Sequence, residues 1–266
     1  MVNEIASKYN VKVSGEGKQT ILFAHGFGCD QNMWRFIVPA FEQDYKLVLF
    51  DYIGCGKSDV SAYNTERYES LQGYAQDILD ICEEYDLHDV ILIGHSVSSL
   101  IAILASIQKP ELFKHLILVS PSPRFVNDED YIGGFAEEDL RGLLSVMESN
   151  FSGWAEYLAP VVMKNPDLPD LTKELEETFC ANDPTITRKF AELTFFCDNR
   201  DDLNKVSIPT LVLQCSEDDL APDHIGKYVS DQIEESTFKQ MQATGHCPHM
   251  SHPEETVALI KEYLSH

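Results

Sequence analysis

The sequence predicts an α/β protein, a mostly parallel twisted sheet flanked by helices, with a helical cap inserted late in the sheet. Two observations carry this. Short apolar runs alternate with amphipathic stretches, as consecutive βαβ units do, because a strand buried on both faces needs an unbroken hydrophobic run while its crossover helix needs one apolar face. The alternation breaks after Ser120-Pro121-Ser122-Pro123 and resumes only at Ile208-Pro209-Thr210. The text between them is acidic and helical and carries bulky aromatics such as Phe125, Phe135, Trp154, Phe190 and Phe195. The expected organisation is therefore a core of residues 1–123 and 200–266 with a cap of 124–199. A length of 266 residues and 44% hydrophobic content suit a core of that size.

In chain order, the apolar runs at 20–24, 46–50, 90–93, 116–119 and 210–214 read as strands, and pieces near 11–13 and 237–241 extend the sheet. Residues 71–85 place Leu71, Tyr74, Ala75, Ile78, Leu79 and Cys82 on one helical face. Residues 97–108 are almost wholly apolar, which predicts a helix buried against the sheet. Residues 253–264 read as a closing helix.

Lys and Arg number 20 and Asp and Glu 44, a net charge of −24. That charge repels nucleic acid backbones and anionic membrane surfaces, so neither is an expected partner; a solvated acidic surface accounts for it, with an acidic docking face as the alternative. No run approaches the roughly 18 apolar residues of a spanning helix. The start, MVNEIASKYNVKV, lacks the basic and apolar regions of a signal peptide. The seven cysteines, at 29, 55, 82, 180, 197, 215 and 247, are odd in number and scattered. Free thiols in a reducing cytoplasm are the expectation.

The chemistry centres on Gly94-His95-Ser96-Val97-Ser98, set between a strand and a buried helix. This is the context of a nucleophile elbow, where a sharp turn lifts a serine hydroxyl above the sheet edge and small residues two before and two after it let helix and strand approach. The second small residue is Ser98 rather than the usual glycine. A serine needs a base, and the base an orienting acid, in the chain order serine, acid, histidine. The acid is sought among Glu217, Asp218 and Asp219, with Asp218, four residues before Pro222, preferred. The base is sought among His246, His249 and His252, with His246, just after Gly245 at a strand exit, preferred. Oxyanion donors are expected from the backbone N–H of Val97 and of Phe27, in the loop His25-Gly26-Phe27-Gly28. His25 reads as a structural turn residue. Cys247, His249 and His252 lack a second cluster to complete a metal site, and Gly54-x-Gly56 lacks the longer glycine pattern of a dinucleotide site, so no metal and no cofactor is expected.

Together these residues resemble the α/β-hydrolase superfamily over nearly the whole chain. Within it, the chain is similar to the RsbQ-like bacterial stress regulators and the plant karrikin and strigolactone receptors. The likeness is carried by HGFGCDQNMW (25–34), LFDYIGCGKSD (49–59), LQGYAQDILDICEEYDL (71–87), GHSVSSLIAILAS (94–106), SPSPRFVND (120–128) and ATGHCPHMSHPEET (243–256). Ser98 is the residue the plant receptors carry there. The resemblance implies a triad of Ser96, Asp218 and His246, an oxyanion hole at Phe27 and Val97, and a four-helix cap over a small apolar pocket. By position it implies that Phe125, Phe135, Trp154, Leu158 and Phe195 line that pocket. It further implies hydrolysis of a small hydrophobic ester or lactone, a link to signalling, and, for the RsbQ-like proteins, a regulatory partner of the sensor-domain phosphatase kind.

Overall fold

The computed structural model describes residues 4–265; the first three residues of the expected core and His266 lie outside the described residues. Seven strands, β1 (Lys12–Ser14), β2 (Gln19–Ala24), β3 (Tyr45–Leu49), β4 (Val90–His95), β5 (Phe113–Val119), β6 (Thr210–Gln214) and β7 (Ser236–Gln240), form one sheet in the order β1-β3-β2-β4-β5-β6-β7. All neighbours are parallel except β1, which runs antiparallel to β3 at the edge. β4 and β6 are buried along their whole length, which is why their text is continuously apolar rather than alternating.

Three helices precede the long insertion: α1 (Glu4–Lys8), α2 (Leu71–Glu84) and α3 (Val97–Gln108). Every residue of α3 from Val97 to Ser106 is buried, as expected of a helix that is apolar all round. α2 buries the predicted face of Leu71, Tyr74, Ala75, Ile78, Leu79 and Cys82.

Between β5 and β6 the chain folds into α4 (Glu137–Ser149), α5 (Phe151–Met163), α6 (Pro169–Ala181) and α7 (Pro184–Phe195). Asn150 caps α5 by accepting from Gly153 N–H, and Asp183 caps α7 by accepting from Thr185 and Ile186 N–H. The two stems of the segment are tied together: Asn199 N–H donates to Pro123 C=O at 2.9 Å, and Asp198 pairs with both Arg124 and Arg200 at 2.9 and 2.7 Å. After β6 come α8 (Asp223–Gln232), α9 (Pro248–Ser251) and α10 (Pro253–Leu264). The sequence reading did not anticipate α8, although Ile225 and Val229, four residues apart and both buried, carry its signal. No helix among the described residues is long and apolar enough to cross a membrane.

Candidate active site

The parallel strands deliver their C-terminal ends to one edge of the sheet, and the predicted chemical residues collect there. Ser96 sits between β4 and α3 with φ 56° and ψ −123°, a conformation that a non-glycine residue adopts only when its surroundings enforce it. Gly94 supplies part of that enforcement: a Cβ there would lie 2.3 Å from Ser98 O, so no larger residue fits the turn. The Ser98 hydroxyl donates to His25 C=O at 2.5 Å, tying α3 to the end of β2. Serine therefore keeps the close approach that glycine usually allows and adds a bond.

His246 Nε2 lies 2.7 Å from Ser96 Oγ, and its Nδ1 lies 2.7 Å from Asp218 Oδ2. Asp218 Oδ1 accepts from Leu220 N–H and Ala221 N–H at 2.9 and 3.0 Å, which fixes the carboxylate and turns its other oxygen toward the ring. All three side chains are buried. Asp219 points elsewhere, to Lys164 Nζ at 2.7 Å, and Glu217 is exposed near the same lysine. Of the three carboxylates, only Asp218 meets a histidine.

The loop after β2 turns through Gly26–Cys29, with Cys29 N–H donating to Gly26 C=O. Phe27 occupies the middle of this turn and its ring faces Trp154, Phe190 and Phe195 edge-on. Val97 opens α3, where the first N–H groups of a helix have no intrahelical acceptor. His25 accepts from Tyr52 N–H through Nε2 and donates to Gly26 C=O through Nδ1, the structural role read for it. Asn182, just past α6, donates to Gly28 C=O at 2.6 Å and so ties the helical segment to this loop.

A small chamber of about 20 Å³ lies against Ser96 and His246. Phe27, Phe125, Leu158 and Phe195 line it, together with Cys29, Val162, Phe179, Thr194, Leu220 and Cys247, none of which the sequence marks as pocket lining. Beyond it lies an open groove of about 630 Å³ between α4 and α5. Leu158, Phe195 and Leu220 border both spaces and form the partition between them. Phe135 lines the groove and not the chamber. Trp154 lines neither: its fully buried ring packs against Phe27, Phe151 and Phe179, so the expected pocket residue stands behind the wall.

Behind His246, burial pushes the imidazoles of His95 and His249 down, the latter to about 3, so both stay neutral. His95 Nε2–H donates to His246 C=O at 2.7 Å. Cys247 and His249 approach one another in the company of His95, not of His252, with ligand atoms within 4.8 Å. A metal there would displace the His95 bond that supports the His246 loop.

The family profile described as the alpha/beta hydrolase fold matches residues 19–253. A karrikin insensitive 2 receptor of Petunia hybrida is 36% identical over 263 residues, spanning 98% of this chain and 97% of that protein. A strigolactone esterase of Arabidopsis thaliana is 35% identical over 263 residues, spanning 98% of each chain. Among solved structures, a hydrolase from Oleispira antarctica superimposes with a TM-score of 0.96 at 41% identity, covering 98% of this chain and 96% of that one.

Proposed function

The chain belongs to the alpha/beta hydrolase fold family, and within it we propose a serine hydrolase that cleaves a small hydrophobic ester or lactone. The observation that carries this is the unbroken relay from Asp218 through His246 to Ser96, two contacts of 2.7 Å each, ending at an apolar chamber. In this reading His246 Nε2 takes the Ser96 proton as Oγ attacks the carbonyl, then returns it to the leaving alkoxide. Asp218 holds the tautomer that leaves Nε2 free to accept and steadies the imidazolium as it forms. The amides of Phe27 and Val97 receive the oxyanion, a contribution of about 3 kcal/mol per donor. A water deprotonated by His246 then releases the acyl group; with a lactone, the ring-opened alcohol stays tethered to it.

In this reading the two spaces take different ends of the substrate. A chamber of about 20 Å³ holds little more than a water, so the partition of Leu158, Phe195 and Leu220 moves for even a small acyl group to enter. The remainder of the substrate occupies the groove, whose apolar walls are bordered by Glu138 and Asp139 and favour an uncharged group. The segment 124–199 acts as the cap that excludes water.

A second reading is a signalling receptor in which hydrolysis is slow and the output is contact with a regulatory partner protein. The receptor name of the Petunia relative and the small size of the chamber favour it. Stopped-flow hydrolysis of p-nitrophenyl acetate by wild type and Ser96→Ala tests both. Steady turnover of about 1–1000 per second supports a metabolic esterase. A single-site burst followed by slow turnover supports the receptor. Release of p-nitrophenol that survives in Ser96→Ala, or is missing from wild type, overturns the serine mechanism.

A further inference from the structure

The C-terminal end of α5 is built into the two loops that hold His246 and Asp218. His246 N–H donates to Val162 C=O in the last turn of α5 at 2.8 Å. Two residues past the helix, Asn165 Nδ2 donates to Met163 C=O at 2.6 Å and to Thr244 C=O at 2.8 Å, and Asn165 Oδ1 faces the Thr244 hydroxyl at 3.3 Å. Gly245 N–H donates in turn to Glu217 C=O at 2.7 Å, which joins the histidine loop to the acid loop.

The approach is close enough to dictate sequence. Gly245 has φ +82°, and a Cβ there would stand 2.0 Å from Met163 O and 2.9 Å from Asn165 Nδ2. The helix itself ends with Lys164 in the left-handed conformation, φ 44°, which aims the following asparagine back at the loop.

We propose that Asn165 is a positioning residue for His246, and that through it α5 is the fixed wall of the site. The proposal rests on the hydrolase reading for its kinetic consequence only; its structural content is that the α5 terminus sets where the imidazole stands. Val162 illustrates the coupling, because its side chain lines the chamber while its carbonyl holds the histidine's own N–H. An α5 that tilted to admit substrate would carry His246 away from Ser96. Opening therefore falls to the Phe195 side of the partition, while Leu158 on α5 and Leu220, whose N–H holds Asp218, move by rotamer alone.

The test compares wild type, Asn165→Ala and the isosteric Asn165→Asp, which keeps volume but turns the donor that faces two carbonyls into an acceptor. For each, kcat and KM for p-nitrophenyl acetate, the thermal midpoint, and the NMR resonance of the His246 Nδ1 proton are measured. A displacement of about 1 Å in a catalytic group costs on the order of 100-fold. Both variants are expected to lose about 10- to 100-fold in kcat with KM within about threefold, and to shift the Nδ1 proton resonance. A wild-type kcat with an unmoved resonance overturns the proposal, as does a loss confined to the thermal midpoint. Should the alanine variant not fold, the aspartate variant decides by the same two readouts. If wild type proves inactive while the resonance still shifts in the variants, the positioning role stands and the hydrolase reading falls.

Discussion

Asp218 divides its carboxylate between two tasks: Oδ1 is held by the N–H groups of Leu220 and Ala221, and Oδ2 meets His246 Nδ1 at 2.7 Å. The first task makes the second possible, because a carboxylate with a fixed plane selects one ring tautomer. Asp218→Asn preserves the shape but presents an amide to Nδ1. We expect kcat to fall by about 10⁴, the scale seen when this role is lost elsewhere. Asp219→Asn, beside it, should cost at most about tenfold. Equal losses in the two variants would mean that the acid was misassigned. Steady-state kinetics on the purified variants decide it.

Leu158 stands at the partition between chamber and groove. Truncation to alanine removes three heavy atoms from the tightest point of the path. The ratio of kcat/KM for p-nitrophenyl butyrate over acetate should then rise about tenfold, the value of one or two methylenes in an apolar pocket. An unchanged ratio would show that the acyl group does not pass this point.

Much of this was legible in the sequence, for identifiable reasons. The strands 210–214 and 90–93 were readable because burial on both faces forces continuous apolar text. The elbow was readable because a strained serine demands small neighbours, and Gly94 and Ser98 are those neighbours. What escaped were relations that no local pattern encodes. Trp154 and Leu158 lie on one face of one helix, a turn apart, and look equally suited to a pocket, yet only Leu158 reaches the chamber, while Trp154 packs behind Phe27, which lines it. Cys29 and Cys247 are free thiols, as the scattered spacing implies, but only the fold shows that both line the chamber beside Ser96. The three adjacent carboxylates at 217–219 could be ranked but not separated, since their partners arrive from residues 164 and 246.

Asp77 offers a stability test far from the chemistry. Its buried carboxylate accepts from Tyr9 at 2.7 Å, Tyr68 at 3.0 Å and the Arg67 guanidinium at 2.6 Å. Asp77→Asn removes the charge that all three donors face and strands the inner end of Arg67. A loss of about 3 kcal/mol is expected from urea unfolding, the scale for breaking one side of a buried ionic network. A change below about 1 kcal/mol would mean that the network contributes little net stability.

The last prediction concerns acid. Burial holds His25, His95 and His249 neutral in the folded protein, with His249 pushed down to about 3, whereas an exposed imidazole titrates near 6.5. Below pH 6.5 the unfolded chain takes up protons that the folded one refuses, so stability is full above 6.5 and is lost as pH falls toward 3. Each such histidine contributes a slope of about 1.4 kcal/mol per pH unit within its window. Asp77 acts in the opposite sense, because burial raises its carboxyl to about 6 and the folded state then binds the extra proton between about 4 and 6. A total slope therefore mixes signs, and a difference between two proteins is the cleaner measurement. His249 packs against Trp34 with ring centroids 4.4 Å apart and neither ring nitrogen hydrogen-bonded, a place where a phenyl ring serves equally well. His249→Phe should lower the slope of unfolding free energy between pH 6.5 and 5 by about one proton. At pH 5.5 wild type should have lost about 1.4 kcal/mol more than the variant, relative to each protein at pH 7. Parallel pH profiles for the two would show that His249 is not held neutral by the fold.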